Sequence, residues 1–86
     1  MELNHKLGEY IYMGMGLCNN ERVNIAVAYK PDYCVKKSLQ FEKASNGVVR
    51  FEKIHKVRVG SLVREESISR HQLVLEFQHI FKEYND

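Results

Sequence analysis

The 86-residue sequence predicts a small α+β domain: an antiparallel β-meander of about four strands with a C-terminal amphipathic helix packed on one face. Apolar residues recur at helical spacing over about residues 69–84, while most of the chain before residue 60 alternates with a period of two. Turn-forming residues separate the alternating runs.

The helix has the clearest start. Ser69-Arg70-His71-Gln72 reads as a capping box, with Ile68 and Leu73 spaced for a hydrophobic staple. At 100° per residue, Leu73, Val74, Phe77, Ile80, Phe81 and Tyr84 share about a third of the circumference. Leu75 stands opposite that stripe, beside Lys82.

Strands are expected at about 9–17, 22–29, 34–43 and 48–59. Ile11, Met13, Met15 and Leu17 form one face of the first, and Val23, Ile25, Val27 and Tyr29 one face of the second. Between them, Cys18-Asn19-Asn20-Glu21 supplies residues that tolerate positive φ, so the two runs form a hairpin. Pro31-Asp32 ends the second strand.

Residues 33–45 admit two readings. Lys, Gln, Glu and Ala give helix propensity, and Asn46-Gly47 would serve as a helix C-cap. The apolar set Cys34, Val35, Leu39, Phe41 and Ala44 scatters on a helical wheel, whereas Val35, Leu39 and Phe41 share one face of a strand. Periodicity therefore favours the strand, with Ser45-Asn46-Gly47 as a hairpin loop that opposes Phe41 to Phe51. The pattern of the last long strand slips near Lys53-Ile54-His55, which predicts a bulge or bend. Leu62-Val63-Arg64 offers a short edge strand.

Charge is uneven along the chain. From Lys30 to Arg58 eight cations face three acids, and from Glu65 to Asp86 two cations face five acids. Lys36, Arg50, Lys56 and Arg58 share even parity, so an unbulged hairpin would present them as one cationic surface. Such a surface suits phosphate contacts, or an acidic protein. An exposed aromatic series for base stacking does not accompany it.

No motif carries chemistry at diagnostic spacing. Gly14-Met15-Gly16 lacks the third glycine and following helix of a dinucleotide fingerprint, and reads as a close approach or a bulge. His71 and His79 are too far apart for one metal site, and Glu76 with His79 forms an isolated pair. Cys18 and Cys34 have neither CxxC spacing nor an activating neighbour. No cofactor, metal or catalytic residue is therefore expected. No apolar run approaches the roughly 18 residues of a membrane span. Met1-Glu2-Leu3-Asn4-His5-Lys6 does not read as a signal peptide, and the expected compartment is the cytoplasm.

One domain of this length buries only about 60–65% of its unfolded surface, and association often supplies the missing stability. Tyr10, Tyr12, Ile54 and Leu75 find no burial in the expected meander and are candidate interface residues. The expected function is a small non-enzymatic binding module, a regulator, inhibitor or adaptor that docks on a partner protein or homodimerises. The alternative is an RNA- or DNA-binding module using the basic central hairpin.

Overall fold

The hairpin of β1 (Tyr10–Cys18) and β2 (Glu21–Ala28) closes through Asn19 and Asn20, at φ 52° and 67°. Two successive left-handed residues make the turn whose twist matches that of the flanking strands. The computed structural model describes residues 10–60 and 64–84. After the hairpin come α1 (Pro31–Ala44), β3 (Val49–Arg58), β4 (Arg64–Ser69), α2 (Arg70–Glu76) and α3 (Gln78–Tyr84). The strands form one antiparallel sheet in the order β2-β1-β3-β4. The expected α+β architecture is present, with four strands and the C-terminal helices against the sheet. The connection from β2 to β3 passes over β1 by way of α1, so the order departs from a simple meander.

The expected strand at 34–43 is a helix, and the expected hairpin at Ser45-Asn46-Gly47 is its C-terminus. Pro31 occupies the first helical turn, where its missing N–H costs nothing, and Asp32 suits the positive end of the dipole. Asn46 takes a left-handed φ of 56°; its N–H meets Lys43 O at 3.0 Å, and Gly47 N–H meets Glu42 O at 3.1 Å. These two bonds are a Schellman cap. The wheel misled because Phe41 is 47% exposed, while Ser38 is buried with Cys34, Val35 and Leu39. The buried stripe is narrow and contains a hydroxyl, so hydrophobicity alone does not trace it.

Two glycines let α1 and β3 approach β1. A Cβ on Gly14 would overlap Ser38 Oγ of α1, and one on Gly16 would lie 2.7 Å from Arg50 O. On β2 the small residues Ala26 and Ala28 keep the same seat shallow, with Ala26 beside Gly14.

Strand β3 bulges one residue before the expected slip. Met15 opposes Lys53 and Gly16 opposes Phe51, leaving Glu52 as the extra residue. The bulge turns both Phe51 and Ile54 toward the helices, and both are fully buried. Burying a side chain of this size contributes roughly 1.5–3 kcal/mol relative to leaving it exposed.

The single helix expected at 69–84 is two. Ser69 caps α2, its Oγ accepting from Gln72 N at 3.3 Å. At Phe77 the backbone leaves helical geometry (φ −123°, ψ 43°). Phe77 O then accepts from Ile80 N and Phe81 N at 3.0 and 3.1 Å, which starts α3. Helix α2 packs on β3 and β4, and α3 packs on α1. The break lets Leu73 reach the sheet while Ile80 and Phe81 join the same core from the other side of α1. The starting residue 9, the reading of residues 1–6, and Ser61, Leu62 and Val63 lie outside the described residues; Arg64 opens β4.

Candidate functional site

Three surfaces compete for the working site, and the geometry of each decides its role. The first is the cationic set. Lys36 is exposed on α1, away from the strands. Lys56 and Arg58 share the helix-side face with Ile54, whereas Arg50, at the other end of β3, lies beside Glu42, Arg70 and Tyr84. The four cations therefore do not form one surface. Lys56 and Arg58 serve Tyr10: Lys56 Nζ stands 4.2 Å from the ring centroid, and Arg58 Nη2 donates to Tyr10 Oη at 3.2 Å. Tyr10 is thus half-buried under cations, and Tyr12 packs against the core. Ile54 is fully buried and cannot be an interface residue, because the bulge sends it inward. Leu75, on α2, is 60% exposed.

The second surface surrounds the Glu42–Arg70 pair, which fastens α1, β3 and α2 together. Arg70 Nη1 donates to Glu42 Oε1 at 2.6 Å and to Phe51 O at 2.7 Å, and Nη2 donates to Glu42 Oε2 at 3.2 Å. Phe51 N donates to Glu42 Oε1 at 2.9 Å. The guanidinium also lies 5.6 Å from the Phe81 ring centroid and 6.0 Å from that of Phe51. Burial alone would raise the Glu42 pKa, but the Arg70 bonds and the Phe51 amide outweigh it and hold the carboxyl below its ordinary value. Both Glu42 oxygens and both terminal nitrogens of Arg70 are engaged within the fold, so the pair is a brace. A second buried polar spot has the same character. The Cys34 thiol donates to Tyr12 O at 3.4 Å, and burial pushes its pKa up to about 11. Ser38 Oγ lies next to it without a partner of good geometry. A thiol held protonated in this way is a poor nucleophile.

The surface that remains open is the edge of the sheet at β2 and the groove between it and α1. A concavity of about 580 Å³ at the C-terminal end of β2 is lined by Ile11, Val27, Ala28 and Tyr29 of the sheet side and by Lys30, Tyr33 and Lys37 where the chain enters α1. Val27, Tyr29 and Tyr33 are 51%, 52% and 58% exposed. Tyr33, Lys37 and Phe41 follow one another at four-residue spacing on one flank of α1, with Tyr33 and Phe41 exposed. Lys37 Nζ stands 5.7 Å from the Tyr33 ring centroid.

Strand β2 pairs only with β1 among the described residues. In the two-residue turn, Cys18 and Glu21 make the closing hydrogen-bonded pair, so Arg22 and Asn24 aim their backbone groups away from β1. Gly14 opposes Ala26 and Met15 opposes Asn24, leaving Ile25 as an extra residue. That bulge shifts the alternation by one, and beyond it Val27 carries the outward groups. The sequence signals for this site were Val27, Tyr29 and the lysines at 30 and 37. They do not read as a site in the sequence, because the groove exists only when residues 31–44 are a helix.

Among the described residues no group of three or more His, Cys, Asp or Glu side chains could hold a metal ion. No helix among them is long and apolar enough to cross a membrane. Comparison with protein families, with known proteins and with solved structures gives no match.

Proposed function

We propose that the chain is a small non-enzymatic binding module, a regulator, inhibitor or adaptor of the cytoplasm, that docks on protein by pairing a strand to β2. The observation that carries this reading is the coincidence of a strand edge that has no partner among the described residues with an exposed apolar groove beside it. In strand addition, main-chain bonds supply affinity, and the pockets flanking the edge select alternate side chains. The Val27–Tyr29–Tyr33 concavity is placed to take such a side chain. The alternative, an RNA- or DNA-binding module, draws less support, because Lys36, Arg50, Lys56 and Arg58 do not share a face.

The test compares two variants in protein capture. Asn24→Pro removes an outward N–H that the fold does not use, whereas Leu75→Ser alters the exposed apolar residue of α2. The reading expects the proteins retained by the unaltered chain, its own copies included, to be lost with Asn24→Pro and kept with Leu75→Ser. Retention that survives Asn24→Pro and fails with Leu75→Ser would move the docking surface to α2.

A further inference from the structure

The β2 edge carries a charge pattern that selects its occupant. We infer that the strand pairing on β2 is β2 of a second copy of this chain, joined antiparallel about a twofold axis between Ile25 and Ala26. The inference rests on the edge-docking reading and commits it to one partner.

Register supplies the first argument. In an ordinary strand, antiparallel self-pairing keeps side chains on matching faces only when each residue pairs with one of its own parity. The bulge at Ile25 reverses this rule between the two halves of β2. With the axis between Ile25 and Ala26, Asn24 opposes Val27 of the second copy and Val23 opposes Ala28. Asn24 and Val27 both belong to the face away from α1, through their partners Met15 and Met13. Val23 and Ala28 both belong to the face toward α1, through Gly16 and Tyr12. Asn24 and Val27 also carry outward backbone groups, so they can exchange both ladder bonds. A slip of one residue mismatches every pair.

Charge supplies the second argument. The same register sets Glu21 against Lys30 of the second copy, twice by symmetry. Lys30 has extended backbone (φ −126°, ψ 141°) but lies past the bend that leads from β2 into α1, so it meets Glu21 just beyond the end of the ladder. Both side chains are exposed, and neither has an ion-pair partner among the described residues. A slip of two residues preserves the faces but moves Glu21 opposite Ala28 and loses both pairs. A peptide of arbitrary sequence has no reason to carry a cation and an acid at this separation; β2 itself does.

The groove supplies the third. A twofold axis normal to the sheet keeps both α1 helices on one side and turns their Tyr33–Phe41 flanks toward each other, antiparallel. Exposed Tyr33 and Phe41 then meet across the seam, and Lys37, near the axis, keeps its cation over the Tyr33 ring.

Sedimentation velocity on the full chain between about 1 and 100 µM tests the inference. The expected result is a dimer that Glu21→Lys or Lys30→Glu each weakens roughly tenfold or more and that the double exchange restores. Because both positions are exposed, these variants keep the test informative even where Asn24→Pro perturbs folding. A monomer throughout that range overturns self-pairing alone, since the edge-docking reading is judged separately by loss of capture with Asn24→Pro. A dimer that Asn24→Pro dissociates but that ignores the charge exchanges overturns this register and, with it, the inference. A dimer indifferent to both overturns the inference and the edge reading together.

Discussion

The two edges of the sheet are built from different material. Strand β4, Arg64–Ser69, is short, carries an exposed Glu66, and runs directly into α2. Strand β2 is longer, carries Val23, Ile25 and Val27, and has neither a proline nor a lysine between Glu21 and Ala28. Short strands, charges and a covering helix are the usual ways to stop a sheet edge from recruiting another chain. The β4 edge is short and joined to α2, whereas the β2 edge is longer, confines its charges to Glu21 and Arg22 at one end, and lies beside an apolar groove. The contrast teaches that exposure alone does not mark a docking surface here. Leu75 is as exposed as Tyr33, but it stands on a seven-residue helix beside the short β4 edge.

The largest effect on this contrast is expected at Gly14. Gly14→Ala puts a methyl where Ser38 Oγ now sits, lifting α1 off the sheet and opening the groove wall behind β2. Overpacking of this kind costs about 3 kcal/mol when backbone must move. Chemical denaturation should show that loss together with weakened association. An unchanged midpoint would mean α1 is not seated as described.

Next come Glu42 and Arg70, on the braced side. Arg70→Ala leaves a half-buried carboxylate without its partner, and a loss of about 2 kcal/mol is expected, with association at β2 unchanged. Glu42 has its carboxyl pKa below the ordinary value in the folded chain. Its contribution is therefore present above the unfolded pKa, 4.5, and is lost as pH falls through the lower folded value. Denaturation midpoints measured from pH 7 down to about pH 3 should fall more steeply for the unaltered chain than for Glu42→Gln. Equal slopes would remove Glu42 from the acid response.

The smallest effect has the opposite sign. Ser38→Ala removes a buried hydroxyl that lacks a good partner and should stabilise the fold by about 1 kcal/mol. A loss of stability would show that the hydroxyl is satisfied in solution.

These elements also show which parts of the structure could be read from sequence. The β1–β2 hairpin, the Ser69 cap, the spacing role of Gly14-Met15-Gly16 and the bend in β3 were legible because each depends on neighbouring residues. Helix α1 was not, because its buried stripe includes Ser38 and omits Phe41, and only the packed structure reveals that exchange. Reading 34–43 as a strand puts Lys36 on a cationic sheet face, leaves Ile54 without a core, and removes the second wall of the groove beside Val27. The break at Phe77 was hidden for a different reason: the apolar stripe of 69–84 is nearly continuous, although it serves two surfaces.

The central claim is that β2 is the edge at which this chain pairs, and backbone hydrogen exchange reads that directly. At low concentration the outward amides of Asn24 and Val27 should exchange quickly. At about 100 µM, where pairing is expected, both should slow at least tenfold, while the amide of exposed Leu75 on α2 remains unaffected. Rapid exchange at Asn24 and Val27 in a sample shown to be associated would contradict the account.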